Sequence, residues 1–119
     1  MTNVGRRAGH PVLRSTLWQG VWLIALGGDI DMDSAEDVEE AVDDALSRFG
    51  GPVVFDLSEV TFADSQTLNL LLQTRARRPV ALAGAGGAVL RLLEVTGLSD
   101  ALRSRSGPEE AREALAGEM

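Results

Sequence analysis

The chain contains no cysteine and no lysine. The first absence rules out disulfides and thiolate metal sites. The second removes the lysine that a Walker-type phosphate loop requires. Histidine is nearly absent too: His10 stands alone, with no ligand set at metal spacing around it. No apolar run approaches the roughly 20 residues needed to cross a bilayer. Arg6, Arg7 and His10 have no apolar stretch beside them, so the N-terminus lacks the hydrophobic region of a signal peptide. A cytoplasmic location is expected. The basic charge is 11 arginines against 18 acidic residues, a net −7, which disfavours nucleic acid as a partner because phosphate contact depends on clustered Lys and Arg.

What is present fits one soluble domain. At 119 residues, with 45% hydrophobic and 24% charged residues, the chain is long enough for a single core. The domain is expected over residues 11–116, between a mobile tail at 1–10 and a short tail at 117–119. The acidic charge is concentrated: nine Asp and Glu lie between Asp29 and Asp44, with no basic residue among them. Such a block is either a solvated helix face or a surface that steers a basic partner.

Val12 to Trp18 and Val21 to Leu26 read as strands joined by a tight Gln19-Gly20 turn. The density of the second, Val-Trp-Leu-Ile-Ala-Leu, suits a strand covered on both faces. From Ser34, the spacing of Ala35, Val38, Val42, Ala45, Leu46 and Phe49 predicts a helix. Ser34 with Asp37 resembles a capping box, and Gly50-Gly51-Pro52 stops the helix. Val53-Val54-Phe55 is a buried strand closed by Asp56, which orders the next residues through backbone N–H groups. Leu57 to Ala63 reads as a loop with Val60 and Phe62 as anchors. A helix then carries Leu68, Leu71 and Leu72 on one face, with Ser65 at its N-cap and Asp64 sharing that duty. Arg75, Arg77 and Arg78 suit its C-terminal dipole. Beyond Pro79 come a short strand, Val80 to Ala83, a Gly84–Gly87 turn, and a helix with Val89, Leu92 and Leu93 closed by Gly97. A short edge strand near Leu102 to Arg105 and a last helix from Pro108 through Leu115 complete the chain. The alternation predicts an α/β fold, a mixed sheet with an N-terminal hairpin and then parallel strands, flanked by about four helices.

Little here performs chemistry. Asp56 and Asp64 could be read as an acid–base pair, but neither a paired nucleophile nor a histidine supports it, and no enzyme is expected. Gly84-x-Gly86 is followed by Val89 where a dinucleotide fingerprint needs Gly or Ala, so a plain turn accounts for it better than a nucleotide site. No cofactor or metal is expected. Ser65 is the leading functional residue. A serine before a helix is ordinarily only a cap, contributing about 0.5–2 kcal/mol.

A family resemblance gives Ser65 a second reading. Asp56-Leu57-Ser58, Val60, Phe62, Asp64-Ser65 and Leu68 together resemble the signature of STAS domains, most closely the small bacterial anti-sigma-factor antagonists. Gly28-Asp29-Ile30-Asp31 is similar to the Gly-Glu-Leu-Asp turn that the family places between its second strand and first helix. The resemblance runs from about Val12 to Leu115. One departure is that Gln66-Thr67-Leu68 stands where the family has Ser/Thr-Gly-Leu. The resemblance implies that Ser65 is a phosphorylation site. It also implies a partner surface comprising Asp29, Asp31, Phe62, Asp64, Gln66, Thr67 and Asn69. The partners would be an anti-sigma factor with serine-kinase activity and a phosphatase. The alternatives are an unphosphorylated STAS scaffold or transporter-accessory subunit, and a small nucleotide sensor. For Asp31 the plain alternative is a turn-forming Asp before a helix. A phosphate on Ser65 would add about −1.5 to −2 charges. At a helix N-terminus the free N–H groups and the dipole should tolerate it.

Overall fold

The computed structural model describes residues 10–116. The tails expected at 1–10 and 117–119 fall, apart from His10, outside the described residues. In chain order the elements are β1 (Val12–Trp18), β2 (Val21–Ile30), α1 (Met32–Arg48), β3 (Val53–Ala63) and α2 (Ser65–Arg77). They are followed by β4 (Val80–Ala83), α3 (Gly87–Thr96), β5 (Ser104–Arg105) and α4 (Pro108–Ala116). The five strands lie in sequence order in one sheet. β1 and β2 are antiparallel, whereas β3, β4 and β5 each run parallel to the preceding strand. The hairpin turn is made by Gln19 and Gly20, both at positive φ, +47° and +88°, whose twist matches that of the strands they join.

The central strands β2, β3 and β4 carry buried apolar runs on both faces because helices cover both. On one face Ile24, Leu26, Val53, Phe55, Val80 and Leu82 meet Val38, Val42 and Leu46 of α1, Leu70 and Leu71 of α2, and Val89 and Leu93 of α3. On the other, Val21, Leu23, Val54, Ala81 and Ala83 are covered by Ala111 and Leu115 of α4. Small alanines on β4 let α4 sit close.

Two expectations about where elements begin need correction. β3 does not end at Phe55: Leu57 to Ala63, expected as a loop, continues as strand beside an equally extended β2. The pairs Gly27↔Glu59, Gly28↔Val60, Asp29↔Phe62 and Ile30↔Ala63 carry the ladder onward through two register irregularities. Each places one extra residue on β3, which bends the strand and breaks the two-residue alternation that would have announced it. As a result Val60 is buried, as an anchor should be, while Phe62 is 49% exposed. The capping residues are also one step or more earlier than expected. Asp31, not Ser34, is the N-cap of α1, and Asp64, not Ser65, is the N-cap of α2. The Asp64 carboxylate reaches two N–H groups where a hydroxyl would reach one. The α2 face is turned as well: Thr67, Leu70, Leu71 and Thr74 are its buried residues, with Leu68 and Leu72 at the core margin. Two threonines in the buried stripe hide it from a hydrophobicity pattern.

Asp56 acts as expected, its Oδ1 accepting from the Ser58 N–H at 3.0 Å. At Gly84 the backbone holds φ +72°, and a Cβ there would lie 2.9 Å from Ser58 Cβ. That glycine is explained by the close approach of β4's end to β3.

Candidate functional site

The site lies beyond the C-terminal ends of β2 and β3. Since Ile30 pairs with Ala63, the next residue on each strand, Asp31 and Asp64, opens a helix at the same level. Two helix N-termini therefore stand side by side. Asp31 Oδ1 accepts from the Ser34 N–H at 3.0 Å. Asp64 Oδ1 accepts from Gln66 N–H at 3.0 Å and Thr67 N–H at 3.2 Å. The Ser34 backbone donor holds the Asp31 carboxyl below the ordinary carboxylate range.

Ser65 is the first residue of α2 and is exposed. Among the described residues no hydrogen bond engages its hydroxyl, so it has no capping duty. The Leu68 N–H goes to the Asp64 carbonyl at 3.3 Å. Together with the two donors taken by the Asp64 side chain, this uses up most of the first-turn N–H groups. The free donors expected around Ser65 are therefore already occupied, by its own neighbour.

Two contacts lock the strand ends together. Thr61 Oγ1 donates to Asp29 Oδ1 across the β2–β3 pair, fixing both exposed side chains. Thr67 Oγ1 donates to the Ile30 carbonyl at 3.5 Å. Thr67 is only 3% exposed, which removes it from the expected contact surface. Its role is to tie the first turn of α2 to the end of β2.

The other expected residues do share a surface. Asp29, Asp31, Phe62, Gln66 and Asn69 are exposed and Asp64 is half-buried. Gln66 and Asn69 border a groove of about 290 Å³ between α1 and α2, whose other wall carries Met32, Glu36 and Glu39. Met32, 66% exposed, was not among the expected site residues. Its sequence signal is a large apolar side chain at the first helical position, between two aspartates. Met32 and Phe62 add exposed apolar area to an otherwise acidic and amide surface. No cluster among the described residues could hold a metal ion.

The family model described as "Mlab, STAS domain" matches residues 19–104. The chain belongs to the STAS domain family. Among curated proteins no sequence match is significant. The STAS fold is shared with solved structures at low identity. An anti-sigma factor antagonist from Mycobacterium paratuberculosis superposes with TM-score 0.82 at 24% identity, over 92% of this chain and 97% of that one. The Bacillus cell fate determinant SpoIIAA in its phosphorylated form gives 0.65 at 18%, over 89% and 98%. A sulfate transporter family protein from Wolinella succinogenes gives 0.67 at 17%, over 87% and 93%. In this STAS domain no described helix is long and apolar enough to cross a membrane.

Proposed function

We propose that this STAS domain is an anti-sigma-factor antagonist whose partner binding is switched at Ser65. The unmodified protein binds a cytoplasmic anti-sigma factor with serine-kinase activity and so frees a sigma factor. The kinase transfers the γ-phosphoryl group of ATP to Ser65 Oγ, releasing ADP and the hydroxyl proton, and the complex separates. A phosphatase reverses the step. The domain is substrate and ligand in this cycle, not catalyst.

The observation that carries this reading is the Ser65 hydroxyl: exposed, on a rigid first helical turn, and relieved of capping by Asp64. A residue free of structural work can be modified without unfolding the domain. Around it, Asp29, Asp31, Phe62, Asp64, Gln66 and Asn69, joined by Met32, supply the docking surface. An anion added at its centre meets the partner with extra bulk, charge and desolvation cost. A loss of about 2.7 kcal/mol lowers affinity about a hundredfold.

Incubation with ATP and the cognate kinase, followed by mass spectrometry, tests the modification. Phosphate found on Ser65 and missing from Ser65→Ala supports it. In calorimetry, Ser65→Ala is expected to keep partner affinity while Ser65→Glu weakens it; equal affinities would overturn the switch. The likeness to a sulfate transporter family protein supports a second reading, an accessory subunit of a transport assembly that is never phosphorylated. A binding-competent protein that the kinase leaves unmodified would favour that reading.

A further inference from the structure

At the opposite end of the sheet, Arg75, Arg77 and Arg78 at the end of α2 are joined by Arg103, distant in sequence. Arg75, Arg77, Arg78 and Arg103 line one cleft of about 290 Å³, with Ala76 and Pro79 as its remaining walls. Among the described residues no carboxylate lines it, in a chain carrying 18 acidic residues. A helix C-terminus attracts cations, yet that effect falls off within the last turn. It accounts for Arg75 and Arg77 but not for Arg103, which comes from the segment before β5.

Three of the guanidinium groups, those of Arg75, Arg78 and Arg103, donate to backbone carbonyls. Arg75 Nε donates to the Ala101 carbonyl at 2.7 Å. Arg78 Nη2 donates to the Leu46 and Phe49 carbonyls at 3.1 and 3.5 Å. Arg103 Nη1 donates to the Val80 carbonyl at 3.3 Å. Arg77 Nη1 meets Asp43 at 3.3 Å, on an exposed flank. A guanidinium has five N–H donors, so these bonds orient the groups without exhausting Arg75 and Arg77. Arg78 Nε is buried with no hydrogen-bond partner among the described residues. Arg103 also holds a left-handed backbone, φ +48°, unusual for a side chain with a Cβ. Such strain persists only where the surroundings over-determine it, and it clusters at ligand sites.

We infer that the Arg75–Arg77–Arg78–Arg103 cleft is a binding site for a compact, multiply charged phosphate anion. Planar guanidinium forks match phosphate oxygens two at a time. The net charge of −7 repels an extended polyanion, but a compact anion inside the cleft is nearest the positive groups. The anion could be free in solution or borne by a lipid headgroup, and the chemistry of recognition is the same.

The test uses the full chain with inorganic pyrophosphate in low-salt calorimetry. Saturable binding with a dissociation constant below about 1 mM is expected. It should weaken at least tenfold in the Arg75→Gln/Arg77→Gln double variant and stay unchanged in Arg91→Gln, an exposed arginine on α3 away from the cleft. Circular dichroism checks that each variant folds. No saturable binding, or equal loss in Arg91→Gln, would overturn the site. Co-sedimentation with vesicles of anionic phospholipid distinguishes the source. Pelleting that pyrophosphate displaces and the double variant loses points to a headgroup. Pyrophosphate binding without pelleting points to a free anion. Pelleting that the double variant retains counts against the cleft.

Discussion

The division of labour between Asp64 and Ser65 makes a quantitative prediction. Asp64 Oδ1 accepts two backbone N–H groups at the start of α2, and Asp64→Ala removes both bonds at once. Losing an N-cap costs roughly 0.5–2 kcal/mol, typically about 1. The Gln66 donor faces water whereas Thr67 is buried, which puts the cost near the middle of that range. Unfolding entropy is about 2.1 cal/mol/K per residue. Over 119 residues this gives about 0.25 kcal/mol/K, so Asp64→Ala should lower Tm by about 4 °C. Ser65→Ala should behave oppositely. Its hydroxyl holds nothing in the fold, and alanine is the better helix former by up to about 0.5 kcal/mol. Tm should hold or rise by up to about 2 °C. Thermal unfolding followed by far-ultraviolet circular dichroism measures both. If Ser65→Ala costs as much as Asp64→Ala, Ser65 is the cap, and the reason for calling it free to be modified is gone.

Other outcomes rest on the same geometry. The Asp31 carboxyl titrates below the ordinary value of 3.8 because the Ser34 N–H bonds its charged form. Its contribution is therefore present above that value and lost as pH falls through the lowered one. The Tm difference between the native chain and Asp31→Asn should be larger at about pH 5 and shrink towards about pH 3; a difference that stays constant across that window refutes it. Gly84→Ala combines a left-handed backbone with a Cβ 2.9 Å from Ser58 Cβ. It should cost more than the roughly 1–2 kcal/mol of the backbone alone. Gly28→Ala, also left-handed but with open space around its Cβ, should cost only the backbone share. Urea unfolding midpoints compare the two, and equal costs would refute the steric argument.

The fold is legible because the apolar runs and the breakers agree. Val12–Trp18, Val21, Val53 and Val80–Ala83 begin or bound strands where β-branched density predicts them, and Gln19-Gly20 turns where it must. Legibility fails where a local pattern is interrupted. Two extra residues on β3 make a strand look like a loop, and two threonines interrupt the buried stripe of α2. The site is half legible. Ser65 and the acidic residues stand out in the sequence, but the capping expected of the hydroxyl is performed by Asp64. Thr67 reads as a surface residue because nothing in the sequence states that its hydroxyl has the Ile30 carbonyl within reach. Met32 escapes notice because the sequence pattern starts the helix at Ser34, whereas it begins at Met32. The cleft at the other end needs tertiary structure: Arg103 is 25 residues from Arg78 in sequence and reaches it only across β4.

Capping by Asp64 also changes how a phosphate on Ser65 would act. Helix N-termini tolerate anions because orphan N–H groups bind them, yet here those groups are committed to Asp64 and its carbonyl. A phosphate would stand in solvent beside a carboxylate, poorly neutralised, and would keep most of its charge for whatever docks. Weak self-neutralisation would make the proposed switch effective. A double-mutant cycle tests this. In the native background Ser65→Asp adds a second carboxylate with no donors left, and Tm should change by less than about 2 °C. In the Asp64→Ala background the Gln66 and Thr67 donors are free, and the same substitution should restore at least about 0.5 kcal/mol of the lost stability. Additive effects would mean that the two side chains do not compete for the same donors, and that a phosphate at Ser65 is held by the helix and not presented to a partner.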